Sequence, residues 1–526
     1  MAILDAVVKT KAGKLRGAYI DGVYRFLGVH YASPPTGEYR FLPPQPLEPW
    51  EGEKPAVEMA AKCWQTDEPR MEDKEITSTK YYAANMKLLA GSSEMGVGPQ
   101  TEDCLALNIW TSGINDDGKR PVLVWFHGGG NIGGDAGAPW HDGYNLARKQ
   151  NIIVVCVGHR LNVFGYLHLA AFGNEKYKDS VNIGHQDMAA ALQWVHDNIE
   201  VFGGDPGNVT IFGQSGGAEK VVSLMAMPSA KGLFHKAIVQ SGGFQPFPVE
   251  DGIKAAREFL AYMNIDENDL DALQKIPPED LIAAMREINK TRGRETYLRF
   301  PVVADGRIIK YDPFDGAEGS EFCKDIVLIV GNCKDDLRLF SLANPSYYEY
   351  TYDILPEKIA NYGYTREEAA KVIEIYKNML PGEVLACDVF IAFLTDQRFI
   401  KMINNWSLAR KKVGSAPTYN YVFCFEGPDA DLKAIHGVDV PFFFDNAVYA
   451  PGIFTVDNRV GAMKLSETAG ATWAAFARTG NPNNALIPTW KPYDEEDRCT
   501  MLFNVESHTV SDYRSEARKA AFHINL

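Results

Sequence analysis

Long hydrophobic runs, paired cysteines and clustered basic residues are all missing from this chain of 526 residues. No apolar run approaches the roughly 20 residues of a membrane-spanning helix. The N-terminal stretch MAILDAVVKTKAGKLRGAYIDG has no uninterrupted hydrophobic segment of the kind that directs export. The expectation is a cytoplasmic protein, the alternative a secreted one whose leader was removed. The cysteines, Cys63, Cys104, Cys156, Cys323, Cys333, Cys387, Cys424 and Cys499, form no C-x-x-C pair, so the spacing of a zinc site is absent and no metal is expected. Cys156, Cys323 and Cys424 sit in or beside apolar runs and read as buried core thiols. Lys and Arg number 53 against 68 Asp and Glu, a formal charge of −15. That balance, with no basic cluster interleaved with aromatics, argues against nucleic acid and anionic membranes as partners.

With 46% hydrophobic and 23% charged residues, the chain has the composition of a globular protein with a large core. Residues 1–120 are rich in proline and turns, with short alternating strands. Residues 121–245 carry short apolar runs separated by glycine-rich loops: Pro121–Phe126, Ile152–Val157, Val209–Phe212 and Ala237–Gln240. Such runs suit strands buried on both faces of a parallel sheet. Gln186–Phe202 has apolar residues at helical spacing and stops at Gly203-Gly204-Asp205-Pro206. Further core strands are expected at Ile326–Val330 and Tyr419–Phe425, with mainly helical insertions near 250–320 and 350–412. Without repeats or low-complexity linkers, 1–526 reads as one α/β domain.

The chemistry is concentrated in Gly213-Gln214-Ser215-Gly216-Gly217, directly after a buried strand. G-x-S-x-G is the pattern of a nucleophile elbow, in which small neighbours let the backbone turn sharply and present the hydroxyl above the sheet. A serine is a poor nucleophile unless a histidine takes its proton and a carboxylate orients that histidine. In α/β-hydrolases these follow in the order Ser, acid, His, each on a loop after a strand. Downstream lie His235, His436, His508 and His523. His235 falls in a helical run, and His508 and His523 near a polar terminus. His436 follows the strand at 419–425 and has the required placement. The acid should follow another core strand, and Ile326–Val330 leads to Asp335-Asp336, either of which fits on spacing. His127-Gly128-Gly129-Gly130 follows an early strand and could bring backbone N–H groups to a developing negative charge.

The chain resembles the type-B carboxylesterases, the carboxylesterase and cholinesterase family of the α/β-hydrolase fold. The resemblance is carried by Phe26-Leu-Gly-Val-His-Tyr-Ala-Ser-Pro-Pro-Thr-Gly37 with Arg40-Phe41, by Thr101–Asn108, Ala191–Val195, Phe202–Pro206 and Trp473–Phe476, over nearly the whole length. It implies a bacterial-type branch, a large mostly parallel sheet, and hydrolysis of carboxylic esters through an acyl-enzyme on Ser215 without a cofactor. It also implies Asp336 as the acid and Gly129, Gly130 and Gly216 as oxyanion donors. An amidase or thioesterase with the same triad, or a non-catalytic binding homologue, is the alternative. Cys63 and Cys104 match the family's first disulfide, although a reducing compartment favours free thiols. Arg160 and Asp187 read as a structural ion pair. Ser241 reads equally as a turn serine or as a hydrogen-bonding neighbour of the triad. Several positions depart from the family pattern: Gln214 and Asp439 stand where glutamate is common, Asp336 is one methylene shorter, Gly216 replaces alanine, and Asn131 replaces an aromatic. Neutral Gln214 implies no preference for cationic esters.

Overall fold

The computed structural model describes residues 3–66, 99–244, 246–290, 292, 298–314, 316–341, 345–427 and 433–522. Twelve strands lie along one sheet path: β1 (Ile3–Lys9), β2 (Lys14–Ile20), β3 (Val23–His30), β4 (Ala106–Thr111), β5 (Arg120–Phe126), β6 (Ile153–Val157), β7 (Gly204–Gln214), β8 (Lys236–Gln240), β9 (Val327–Cys333), β10 (Thr418–Phe423), β11 (Thr500–Phe503) and β12 (His508–Val510). Their order is β1-β2-β3-β4-β6-β5-β7-β8-β9-β10-β11-β12, and a short strand at Glu53–Pro55 pairs with β2. From β6 to β11 every neighbour is parallel. The flanks are antiparallel.

Alternation along the central strands builds a core on each side of the sheet. On β5, Val122, Val124 and Phe126 enter one cluster while Leu123 and Trp125 enter the other. On β8, Ala237 and Val239 face the first side and Ile238 the second. Strands buried on both faces therefore read as continuous apolar runs. The expected central strands are observed within a few residues, but β7 begins at Gly204 and shifts register between Gly204 and Val209. The last two strands, β11 and the antiparallel edge strand β12, were not expected. They are short and mixed in polarity, and their pairing is set by neighbours rather than by a local pattern.

Helix α1 spans Asn162–Tyr166, α2 Ile183–Asn198, α3 Gly216–Met225 and α4 Arg459–Thr479. The helix expected at 186–202 is α2 followed by a 3-10 turn, Ile199–Phe202, ended by left-handed Gly203. The 250–320 region holds helices at Val249–Tyr262, Pro278–Lys290 and Gly316–Phe322, with non-helical backbone at 298–314. The helices at Leu355–Ala360, Arg366–Met379 and Ala386–Thr395 share their own apolar cluster with Ala517 and Ala521 of the C-terminal helix. Thr365 and Glu368 form a reciprocal cap at the start of the second of these, the pattern that satisfies two orphan N–H groups at once. Arg160 and Asp187 meet at 2.6 Å, 2% and 0% exposed, as a bidentate pair tying the loop after β6 to α2.

Candidate active site

Ser215 lies between β7 and α3 with φ 58° and ψ −126°. Such a conformation is sparsely populated for a side chain with a Cβ. It is held by the backbone bond from Ser215 N–H to the Gln240 carbonyl on the adjacent strand, 2.9 Å, and by Glu219 N–H donating to the Ser215 carbonyl, 3.1 Å. Ser215 itself is half-buried while Gly213, Gln214, Gly216 and Gly217 are buried.

The loop after β5 crosses directly over this turn. Gly129 and Gly130 both have positive φ, 81° and 62°, a backbone that glycine adopts freely. A Cβ on Gly216 would sit 2.3 Å from the Gly130 Cα and 2.4 Å from its N. Glycine at 216, where the family pattern has alanine, is therefore matched to the close approach of this loop. Asn131, the other departure beside it, accepts a bond at its backbone oxygen from Asn162 N–H, 2.6 Å.

Asp336 and His436 come together although 100 residues apart: Nδ1 to Oδ1 is 2.5 Å. Asp336 is fully buried and His436 6% exposed. The second oxygen of Asp336 accepts from the Cys333 backbone N–H, 2.8 Å, and from Ser241 Oγ, 2.9 Å. Ser241, undecided from sequence, is thus a hydrogen-bonding neighbour of the carboxylate, at a positive φ of 51° at the end of β8. Asp335 turns away. Its Oδ2 accepts from the Ala434 N–H at 3.3 Å and lies 3.8 Å from Lys334 Nζ. The Nε2 of His436 is buried and makes no hydrogen bond, so no bond joins it to Ser215. The histidine loop still abuts the elbow, because a Cβ on Gly437 would stand 3.7 Å from Gln214 Nε2. Gln214 is 2% exposed, packed between that loop and Gly128. Of the other histidines, His235 bonds the Val209 N–H far from this cluster, His508 is exposed on β12, and His523 lies outside the described residues.

The surroundings of some neighbours carried no sequence signal. Asp439 is fully buried, with Oδ2 accepting from Gln240 Nε2, 3.1 Å, and the Tyr421 hydroxyl, 3.2 Å. Burial, reinforced by the nearby Asp336, pushes its carboxyl up to about 6. The neutral form is thus favoured by folding, and the stability it contributes is present below pH 4 and lost as the pH rises through 6. Asp439→Asn is therefore expected to be more stable than the parent at pH 7, by about 1–3 kcal/mol, and no more stable at pH 4. Urea midpoints at the two pH values measure this difference, and a gain of equal size at both would mean that ionisation is not its source. Glu219, in the first turn of α3, has its carboxyl raised by burial and opposed by Arg398. The rings of Phe340 and Phe399 approach His436 with centroids 5.0 and 6.4 Å away, and Phe340 is 45% exposed. Both reach the site through tertiary folding of the 337–400 region. Cys63 and Cys104 are buried free thiols, and the Cys104 thiol is pushed up by its hydrogen bond to Cys63 and by burial.

A mostly parallel sheet with a strained serine at one strand end, and a buried acid–histidine pair on the loops after two later strands, defines an α/β-hydrolase. The carboxylesterase family model matches residues 4–522, and the chain belongs to that family. It is 32% identical over 520 residues to the para-nitrobenzyl esterase of Bacillus subtilis (strain 168), covering 98% of both chains. It is 30% identical to the phenmedipham hydrolase of Pseudarthrobacter oxydans, covering 97% of each. Among solved structures it superposes on a carboxylesterase of Geobacillus stearothermophilus with TM-score 0.81 and 33% identity, over 98% of this chain and 99% of that one. A Clostridium hathewayi esterase, described as able to hydrolyse aliphatic aromatic polyesters, superposes with TM-score 0.81 at 30% identity over both full chains. The protein is a carboxylic ester hydrolase of bacterial type. Among the described residues no helix is long and apolar enough to cross a membrane.

Proposed function

We propose that Ser215, His436 and Asp336 are the nucleophile, general base and orienting acid of ester hydrolysis, with the N–H groups of Gly129, Gly130 and Gly216 as the oxyanion hole. The supporting observation is the 2.5 Å contact of buried Asp336 with His436 Nδ1, which fixes the tautomer that leaves Nε2 as the acceptor. His436 takes the Ser215 proton as Oγ attacks the ester carbonyl. The backbone amides stabilise the oxyanion, and His436 returns the proton to the leaving alcohol. Water then attacks the acyl-enzyme by the same route and frees Ser215. The open Nε2 is consistent with catalytic bonds that tighten only when substrate is bound. Labelling with a serine-directed phosphonate tests the assignment: an adduct mapped to Ser215 is expected, and an unlabelled Ser215 in active protein would overturn it.

The substrate is an uncharged ester with an aromatic part, which Phe340 and Phe399 line beside His436; the names of the para-nitrobenzyl esterase and of the polyester-hydrolysing esterase support the same class. A panel of matched aromatic, aliphatic and cationic esters measures this preference. Residues 1–526 act as one domain, since the sheet gathers strands from both ends of the chain. The buried free thiols of Cys63 and Cys104 support action in a reducing compartment, the cytoplasm.

Gly216→Ala is expected to lower kcat by about 10–100-fold with little change in thermal midpoint, because the new methyl displaces the Gly130 backbone and misaligns an oxyanion donor, each worth roughly 10²–10³ in rate. Full activity in the alanine variant would show that the loop gives way at no catalytic cost.

A further inference from the structure

Lys220 lies on α3, five residues beyond Ser215, and is fully buried. Its Nζ donates to the backbone carbonyl of His127 at 2.9 Å, and no carboxylate forms an ion pair with it among the described residues. The groups that face it are imidazoles: His127 from the loop after β5, His159 from the loop after β6 and His185 on α2. Glu219 faces it from its own helix. All three imidazoles are buried. Burial, aided by the adjacent Lys220, holds His127 and His159 far below the usual range and His185 down to about 3, so all are neutral. The His127 and His159 rings stack at 4.7 Å, 4° from parallel. A buried ammonium without a carboxylate costs several kcal/mol of solvation, and burial pushes Lys220 down to about 7. A leucine or methionine would fill the same volume without that cost. The side chain reaches one carbonyl instead, and that carbonyl opens Gly128-Gly129-Gly130. The two backbones meet here: a Cβ on Gly217 would lie 2.0 Å from the Phe126 oxygen and 2.9 Å from that of His127. Helix α3 carries Ser215 and the Gly216 amide, while the β5 loop carries the amides of Gly129 and Gly130. Lys220 is the side-chain bond between them.

Resting on the oxyanion assignment above, we propose that Lys220 is a positioning residue for ester hydrolysis: its ammonium pins the His127 carbonyl, aligns the Gly129 and Gly130 amides on Ser215, and sets a positive charge behind the developing oxyanion. The charge is present below pH 7 and fades above it, whereas His436 must be neutral to act as base. The parent kcat profile therefore has a falling limb just above neutrality, distinct from the rising limb on the acid side, where Asp439 also titrates.

Lys220→Met, Lys220→Gln and Lys220→Arg test the proposal on the full chain with a neutral aromatic ester. In Lys220→Met, kcat and the rate of phosphonate labelling at Ser215 are expected to fall about 10–100-fold, with KM within about twofold, and the alkaline limb to vanish. Lys220→Gln, which keeps a donor but no charge, should recover part of kcat without the limb. Lys220→Arg should recover more and move the limb beyond pH 9. Parent-like kcat in a folded Lys220→Met variant, persistence of its alkaline limb, or equal losses in all three would overturn the proposal. So would a parent profile flat from pH 7 to 9, which needs no variant to fold. Failure of the parent Ser215 to label would instead sink the nucleophile assignment, leaving the two failures distinguishable.

Discussion

Ser215→Ala is expected to reduce kcat/KM on any ester by about 10⁴–10⁶-fold, with the thermal midpoint unchanged within a few degrees. The loss is large because acyl transfer through an acyl-enzyme has no substitute for the attacking oxygen. The fold should tolerate the change. The half-buried hydroxyl is replaced by a hydrogen, and the strained φ of 58° is enforced by the surrounding backbone bonds, not by the side chain. Residual turnover comes from the oxyanion amides and substrate binding alone. Initial rates with a chromogenic ester, alongside thermal melts, measure both quantities. A variant that kept a tenth of the parent activity would place the nucleophile elsewhere.

The second large effect separates two adjacent aspartates. Asp336→Asn should lower kcat by about 10³–10⁴-fold, because an amide at this position no longer stabilises the imidazolium or fixes the tautomer with Nε2 as acceptor. Asp335→Asn should cost less than about tenfold, since its carboxylate faces the Ala434 N–H and Lys334 and not the imidazole. Parallel kcat measurements on the two variants suffice, with circular dichroism to confirm folding. The reverse ranking would transfer the orienting role to Asp335. The contrast is a question of side-chain direction: the Cys333 N–H and Ser241 hydroxyl hold one carboxylate in place, and both come from strand ends that spacing alone does not align.

The sequence by itself determined the central architecture, because strands buried on both faces of a parallel sheet must be apolar runs and their breaks must fall at glycine-rich loops. The elbow is readable as G-x-S-x-G, but only Gly213 answers to an approach within five residues, that of Gly217, whereas Gly216 and Gly217 make room for the distant backbone of Gly130, Phe126 and His127. The order proposed for serine, acid and histidine rests on strand positions that are readable in the same way, as each follows its own strand. Tertiary structure alone decided the direction of Asp335 and Asp336, the bond from Ser241, and the meeting of Phe340 and Phe399 beside His436, since these join segments far apart in the chain. It also decided the environment of Lys220 and Asp439. In sequence Lys220 is one more charge and Asp439 a departure from a family pattern, and neither reveals its burial. Only the assembled sheet and its loops exclude water around them, and exclusion of water is what turns an ordinary amine or carboxylate into one that titrates near neutrality.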